Sequence, residues 1–125
     1  MTSKERALEI AHRLSEKKAV EIMVFDLREV SSFTDYFVIA SGSSTRHVKT
    51  LADEAVQVVR EQGEKTLGVE GDPPGRWMLV DADDVVIHLF EPEARDFYAL
   101  ERLWGEAERL DLPNEPDGGV AEAAR

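Results

Sequence analysis

The apolar residues nearest the N-terminus recur at helical spacing. Ala7, Leu8, Ala11 and Leu14 share one side of a helix. Thr2-x-x-Glu5 precedes them in the capping-box pattern, where each side chain satisfies the other residue's backbone N–H. The charged stretch 16–18 closes this helix, and the period then changes. Val20-Glu21-Ile22-Met23-Val24-Phe25-Asp26-Leu27 is rich in β-branched and aromatic residues. Its consecutive apolar positions 22–25 predict a strand covered on both faces.

Residues 28–35 read as a loop, because their Ser, Thr and Asp side chains bond to nearby backbone. A second buried strand follows, Tyr36-Phe37-Val38-Ile39-Ala40-Ser41. After Gly42-Ser43-Ser44 a long helix carries Val48, Leu51, Ala52, Ala55, Val58 and Val59 on one side. Ser43 or Ser44 is its N-cap and Gly63 its C-terminal stop. A short strand is expected over 66–70, then the turn-rich Gly71-Asp72-Pro73-Pro74-Gly75. Residues 77–80 and 85–90 form a hairpin across Asp81-Ala82-Asp83-Asp84. Pro92 suits the first position of a last helix, with Phe97, Leu100, Leu103, Trp104 and Ala107 as its stripe. The order α-β-β-α-β-β-β-α predicts an α+β fold, a mixed β-sheet with flanking helices. One domain is expected over residues 1–112, with a disordered acidic tail over 113–125 that lacks apolar mass.

Composition narrows the chemistry. A chain of 125 residues can bury a core without staples, and the absence of Cys excludes disulfides, thiolate metal sites and Cys nucleophiles. The charged N-terminus is unlike a signal peptide, and no apolar run approaches the roughly 20 residues that span a bilayer. A soluble, cytoplasmic protein is expected. Asp and Glu number 26 against 15 Lys and Arg, a net charge of −11. Such a surface repels phosphate backbones, so direct nucleic-acid binding should be slight and a partner should be basic protein. The charge could equally serve solubility alone. Residues 1–20 run the other way, with five Lys/Arg against three Asp/Glu, which leaves a weak RNA contact open there.

Several segments together resemble the ribosomal silencing factor, or Iojap-like, family. They are Asp26-Leu27-Arg28 with Ser31-Ser32; residues 35–44, Asp-Tyr-Phe-Val-Ile-Ala-Ser-Gly-Ser-Ser; Glu70-Gly71 with Trp77-Met78-Leu79-Val80-Asp81; residues 85–90, Val-Val-Ile-His-Leu-Phe; and residues 95–104, Arg-Asp-Phe-Tyr-Ala-Leu-Glu-Arg-Leu-Trp. They span roughly residues 3–105, in the family's order. The resemblance implies a non-enzymatic factor that docks on ribosomal protein fourteen of the large ribosomal subunit. Docked there it blocks small-subunit joining and lowers translation when nutrients are short. It further implies a homodimer when free, no cofactor, and a core resembling the nucleotidyltransferase fold without its activity.

Candidate sites follow from residue type and place. Ser41-Gly42-Ser43-Ser44 lies at a helix N-terminus, where free N–H groups could take phosphate. The alternative function is therefore a divergent nucleotidyltransferase-like nucleotide-binding protein. That chemistry needs paired metal-holding acids on the following strand, and residues 66–70 offer none. Asp81, Asp83 and Asp84 read as a solvated turn and no metal is expected. His88 shares a strand face with Val86 and Phe90 and is expected near Trp77 on the hairpin partner. It reads as a structural histidine or as a polar island on a partner-binding face, since no nucleophile or orienting acid is evident for catalysis. His12 and His47 read as surface residues. Trp104 reads as core, whereas Trp77 and Tyr98 suit an interface. Asp35 caps the Ser31-Ser32 turn or supports docking, and Arg95 pairs with Asp96 or Glu91 or bonds to the sheet. The expected partner-binding set is Asp35, Tyr36, Trp77, Leu79, Asp81, His88, Arg95 and Tyr98.

Overall fold

Thr2 and Glu5 start the first helix as their spacing predicts. The Glu5 N–H donates to the Thr2 hydroxyl at 3.1 Å, and the Thr2 N–H donates to the Glu5 carboxylate at 2.8 Å. The computed structural model describes residues 1–93 and 108–110. Within them the chain forms α1 (Ser3–Glu16), β1 (Val20–Asp26), β2 (Tyr36–Ser41), α2 (Thr45–Glu61), β3 (Gly68–Gly71), β4 (Trp77–Asp81), β5 (Val85–Phe90) and β6 (Glu108–Leu110). The strands make one sheet in the order β3-β4-β5-β2-β1-β6. Among the described residues only the β2–β5 pairing is parallel, so the sheet is mixed and the fold α+β.

Helix α1 buries Ala7, Ile10, Ala11 and Leu14, a full i, i+3, i+4, i+7 face, while Leu8 packs at its margin. Ile10, absent from the expected stripe, thus lies nearer its centre than Leu8. Ser44 caps α2 by accepting the His47 N–H at 3.1 Å, and Gly63 sits just past the C-cap at φ +80°. Glycine takes that left-handed conformation without steric cost.

Strand parity divides the core between the two sheet faces. Ile22, Val24, Tyr36, Val38, Ala40, Val80, Val85, Ile87 and Leu89 pack with the apolar sides of α1 and α2. Met23, Phe25, Leu27, Ile39 and Phe90 form a second cluster, with Phe37 and Trp77 half-buried beside it. Residues 22–25 are therefore buried on both faces, as their unbroken apolar run predicts.

One expected boundary shifts. β3 covers 68–71 rather than 66–70, because Gly68 pairs with Asp81 and Gly71 with Met78. A Cβ at Gly71 would lie 2.6 Å from the Trp77 carbonyl oxygen, a backbone approach open only to glycine. The chain turns helical at Pro92, but the remaining expected helix, including Phe97, Trp104 and Ala107, lies outside the described residues, as does the 113–125 tail. β6 was not foreseen, since its three residues are too few to show a period, and it pairs antiparallel with β1. Among the described residues no helix is long and apolar enough to cross a membrane.

Candidate docking groove on the outer sheet face

The face of the sheet opposite the helices carries rows of side chains set by register. Glu70 pairs with Leu79, Leu79 with His88, and His88 with Ile39, so one row crosses four strands. The next row runs Gly68, Asp81, Val86, Phe37. A groove of about 520 Å³ opens over these rows, with Ser31, Phe33 and Thr34 at one lip and Leu67 at the other. Phe33 is 88 % exposed and Leu67 66 %. The loop carrying Phe33 is fixed from within. Val30 and Ser31 donate backbone N–H bonds to the Leu27 carbonyl, and the Phe33 N–H donates to the Ser31 hydroxyl at 3.1 Å.

His88 forms part of the groove floor and is itself buried. Neither ring nitrogen has a hydrogen-bond partner among the described residues. Its neighbours are aromatic: Phe37 meets the ring edge-on at 4.7 Å, and Phe90 and Trp77 stack at 6.1 and 6.5 Å. Burial lowers its pKa from 6.5 to about 4, so the imidazole is neutral at neutral pH. Among the described residues no acid or nucleophile is bonded to the ring.

Glu70, Asp81 and Asp83 line the groove, and among the described residues no Lys or Arg joins them. Asp81 also has a local task, accepting the Asp83 N–H at 2.9 Å within the turn. Among the described residues no cluster of three His, Asp or Glu side chains could hold a metal ion.

Leu79, Asp81 and His88 of the expected partner-binding set meet in this groove, and Trp77 borders it through its stacking on Phe90 and His88. Tyr36 does not join them. Positions 36, 38 and 40 face the helices, so its ring is fully buried there, with the Arg28 guanidinium 5.5 Å from its centroid. Asp35 caps no Ser31-Ser32 turn. Its carboxylate accepts from the Ser3 hydroxyl at 3.1 Å, and its N–H donates to the Asp84 carbonyl. Arg95 and Tyr98 lie outside the described residues. Of the other lining residues, Phe33, Phe37, Leu67 and Glu70 were missed as interface residues, whereas Val86 was already placed on the His88 face. Phe33 left a usable signal, as the one aromatic residue in the loop 28–35, where Val30 is the other apolar side chain.

The Gly42-Ser43 turn is closed by its own chain. The Gly42 N–H donates to the Phe90 carbonyl at 2.8 Å, and the Ser43 N–H donates to His47 Nδ1 at 2.8 Å. The other nitrogen of His47 lies 2.8 Å from the Lys17 carbonyl oxygen. His47 is thus half-buried and links three segments, instead of standing free on the surface. His12 is exposed and near Glu16, as expected.

The whole chain, residues 1–125, matches the family model described as ribosomal silencing factor during starvation. It is 40 % identical over 104 residues to the ribosomal silencing factor RsfS of Zymomonas mobilis, covering 83 % of this chain and 78 % of that protein. It is 36 % identical over 94 residues to the mouse protein named mitochondrial assembly of ribosomal large subunit protein 1, covering 73 % of this chain and 41 % of the relative. A crystal structure of a Chromobacterium violaceum protein superposes with a TM-score of 0.81 at 32 % identity, covering both chains fully.

Proposed function

This chain belongs to the ribosomal silencing factor family, and on that premise we propose that it docks on the large ribosomal subunit through ribosomal protein fourteen. Bound there, its bulk prevents the small subunit from joining and lowers translation when nutrients are short. The protein acts in the cytoplasm, is a homodimer when free, and neither catalyses a reaction nor uses a cofactor. We read its core as a nucleotidyltransferase-like scaffold without that activity. The docking domain is residues 1–112, and the 113–125 tail is dispensable for binding.

The observation that carries this reading is the outer groove, with an apolar floor of Leu79, Val86 and Phe37 and an acidic rim of Glu70, Asp81 and Asp83. An apolar centre with a charged rim is the anatomy of a protein interface, and the sign of the rim selects a basic partner. Leu79, Asp81 and His88 would meet the partner directly, with Trp77 at the margin. Asp35 and Tyr36 would support the surface from behind, and Arg95 and Tyr98 complete the proposed set. The mouse relative's name points the same way, since it places that protein in assembly of a large ribosomal subunit.

The nucleotide-binding alternative draws no support from the turn at Gly42. The Ser43 N–H that a phosphate would need already donates to His47. The deciding experiment is sucrose-gradient sedimentation of the protein with isolated ribosomal subunits. Co-migration with the large subunit, and reduced formation of joined ribosomes on adding small subunits, is expected. Migration at the top of the gradient would overturn the proposal.

A further inference from the structure

We infer that the outer groove takes a basic polypeptide segment of the partner, which seats an apolar side chain between Phe33 and Leu67 and brings a hydrogen-bonding group to the His88 ring. This rests on the docking reading above and specifies what fills the groove.

Three observations converge on that occupant. The first is Phe33, 88 % exposed on a loop whose backbone is fixed by internal hydrogen bonds. A flexible loop would let the ring fold back onto the apolar floor. This one presents it to solvent at the groove's lip, with Leu67 opposite. Aromatic side chains beside a pocket are the usual anchors of an interface, and a backbone already ordered leaves less freedom to be lost on binding.

The second is His88. A neutral imidazole offers one N–H donor and one acceptor nitrogen. Among the described residues both lie unpartnered, in a buried ring surrounded by Phe37, Trp77 and Phe90. Buried polar groups are rarely left unpaired, and an apolar ring would satisfy these neighbours without that penalty. A partner that approaches over Leu79 and Val86 and supplies a hydroxyl, amide or carbonyl would remove it.

The third is charge. Among the described residues Glu70, Asp81 and Asp83 are the ionisable side chains of the lining besides His88, and the chain carries −11 overall. A second copy of this chain would bring like charge to the same rim, so a basic segment is favoured over self-association through this face.

Purified large subunits titrated into fluorescently labelled full-length protein test the inference. Phe33→Ala with Leu67→Ala removes exposed side chains and should leave the melting temperature unchanged. It should weaken subunit binding about tenfold or more. His88→Leu should raise the melting temperature yet weaken binding several-fold, a split that a purely structural histidine would not produce. If wild type binds and the double variant binds equally well, the inference fails while the docking reading stands. If His88→Leu binds as wild type does, the polar contact is refuted. Loss of self-association in the double variant by sedimentation equilibrium, with subunit binding intact, would assign the groove to a second copy. Absence of wild-type binding would overturn both readings.

Discussion

Asp84 holds the guanidinium of Arg6 across 78 positions of sequence, joining α1 to the turn between β4 and β5. The Arg6 side chain is 5 % exposed, and its Nε also donates to the Gln62 side chain at 3.1 Å. Gln62 in turn donates to the Arg6 carbonyl and to Glu9. One buried cation therefore ties both helices to the sheet. Asp84→Ala should destabilise the protein by about 2 kcal/mol, below the value for a fully buried pair because the carboxylate is partly exposed. A double-mutant cycle with Arg6→Met, measured by urea unfolding, should show strong coupling. Additive losses would mean that the pair contributes nothing jointly.

His88 gives stability a definite pH dependence. Its folded pKa, about 4, lies below the ordinary 6.5 because burial disfavours the charged ring. As pH falls below 6.5 the unfolded chain takes up this proton before the folded protein does. Stability from this group is therefore present above pH 6.5 and lost progressively down to about pH 4. The loss amounts to at most about 3 kcal/mol. Carboxylates such as Asp26 titrate in acid too, its pKa lowered by the Arg28 hydrogen bond. The informative quantity is thus the difference between wild type and His88→Leu. That difference should widen in the variant's favour between pH 6.5 and 4, as read from unfolding midpoints at a series of pH values. A constant difference would show that His88 does not titrate abnormally.

Local features were legible in the sequence and long-range ones were not. The Thr2–Glu5 box, the Ser44 cap and the alternation that places His88 beside Trp77 all follow from spacing within a few residues or across one hairpin. Tyr36 was expected in the partner-binding set, whereas the parity of β2 buries it against the helices. The partners of Asp35 and Arg6 lie on other elements, which no local pattern can name. Phe33 was passed over because a polar loop predicts backbone conformation but says nothing about which side chain it displays.

The turn at Gly42 should behave as a structural joint. A Cβ there would lie 3.0 Å from the Val48 nitrogen and 3.2 Å from His47 Cγ, inside helix α2's first turn. Gly42→Val should destabilise by about 2 kcal/mol through overpacking. His47→Ala should cost about 1 kcal/mol, since the Ser43 N–H loses its acceptor and the Lys17 carbonyl its neighbour. Calorimetry with magnesium and any nucleoside triphosphate should show no binding heat in wild type. Saturable heat that Gly42→Val removes would revive the phosphate-binding reading.

Salt should separate the rim of the groove from its floor. Glu70 and Asp83 are exposed, and charges in such positions act mainly by steering a basic partner into contact, an effect screened beyond roughly 8–10 Å near physiological salt. Asp83 has φ 73°, a conformation that asparagine tolerates, so Glu70→Gln with Asp83→Asn removes two charges without straining the turn. Association with large subunits, followed by stopped-flow, should slow in the double variant at low salt and converge with wild type as salt rises. Dissociation should change little, because in the proposed docking Phe33, Leu67 and His88 would still hold the bound segment. Equal association rates at all salt concentrations would locate the docking surface away from this rim.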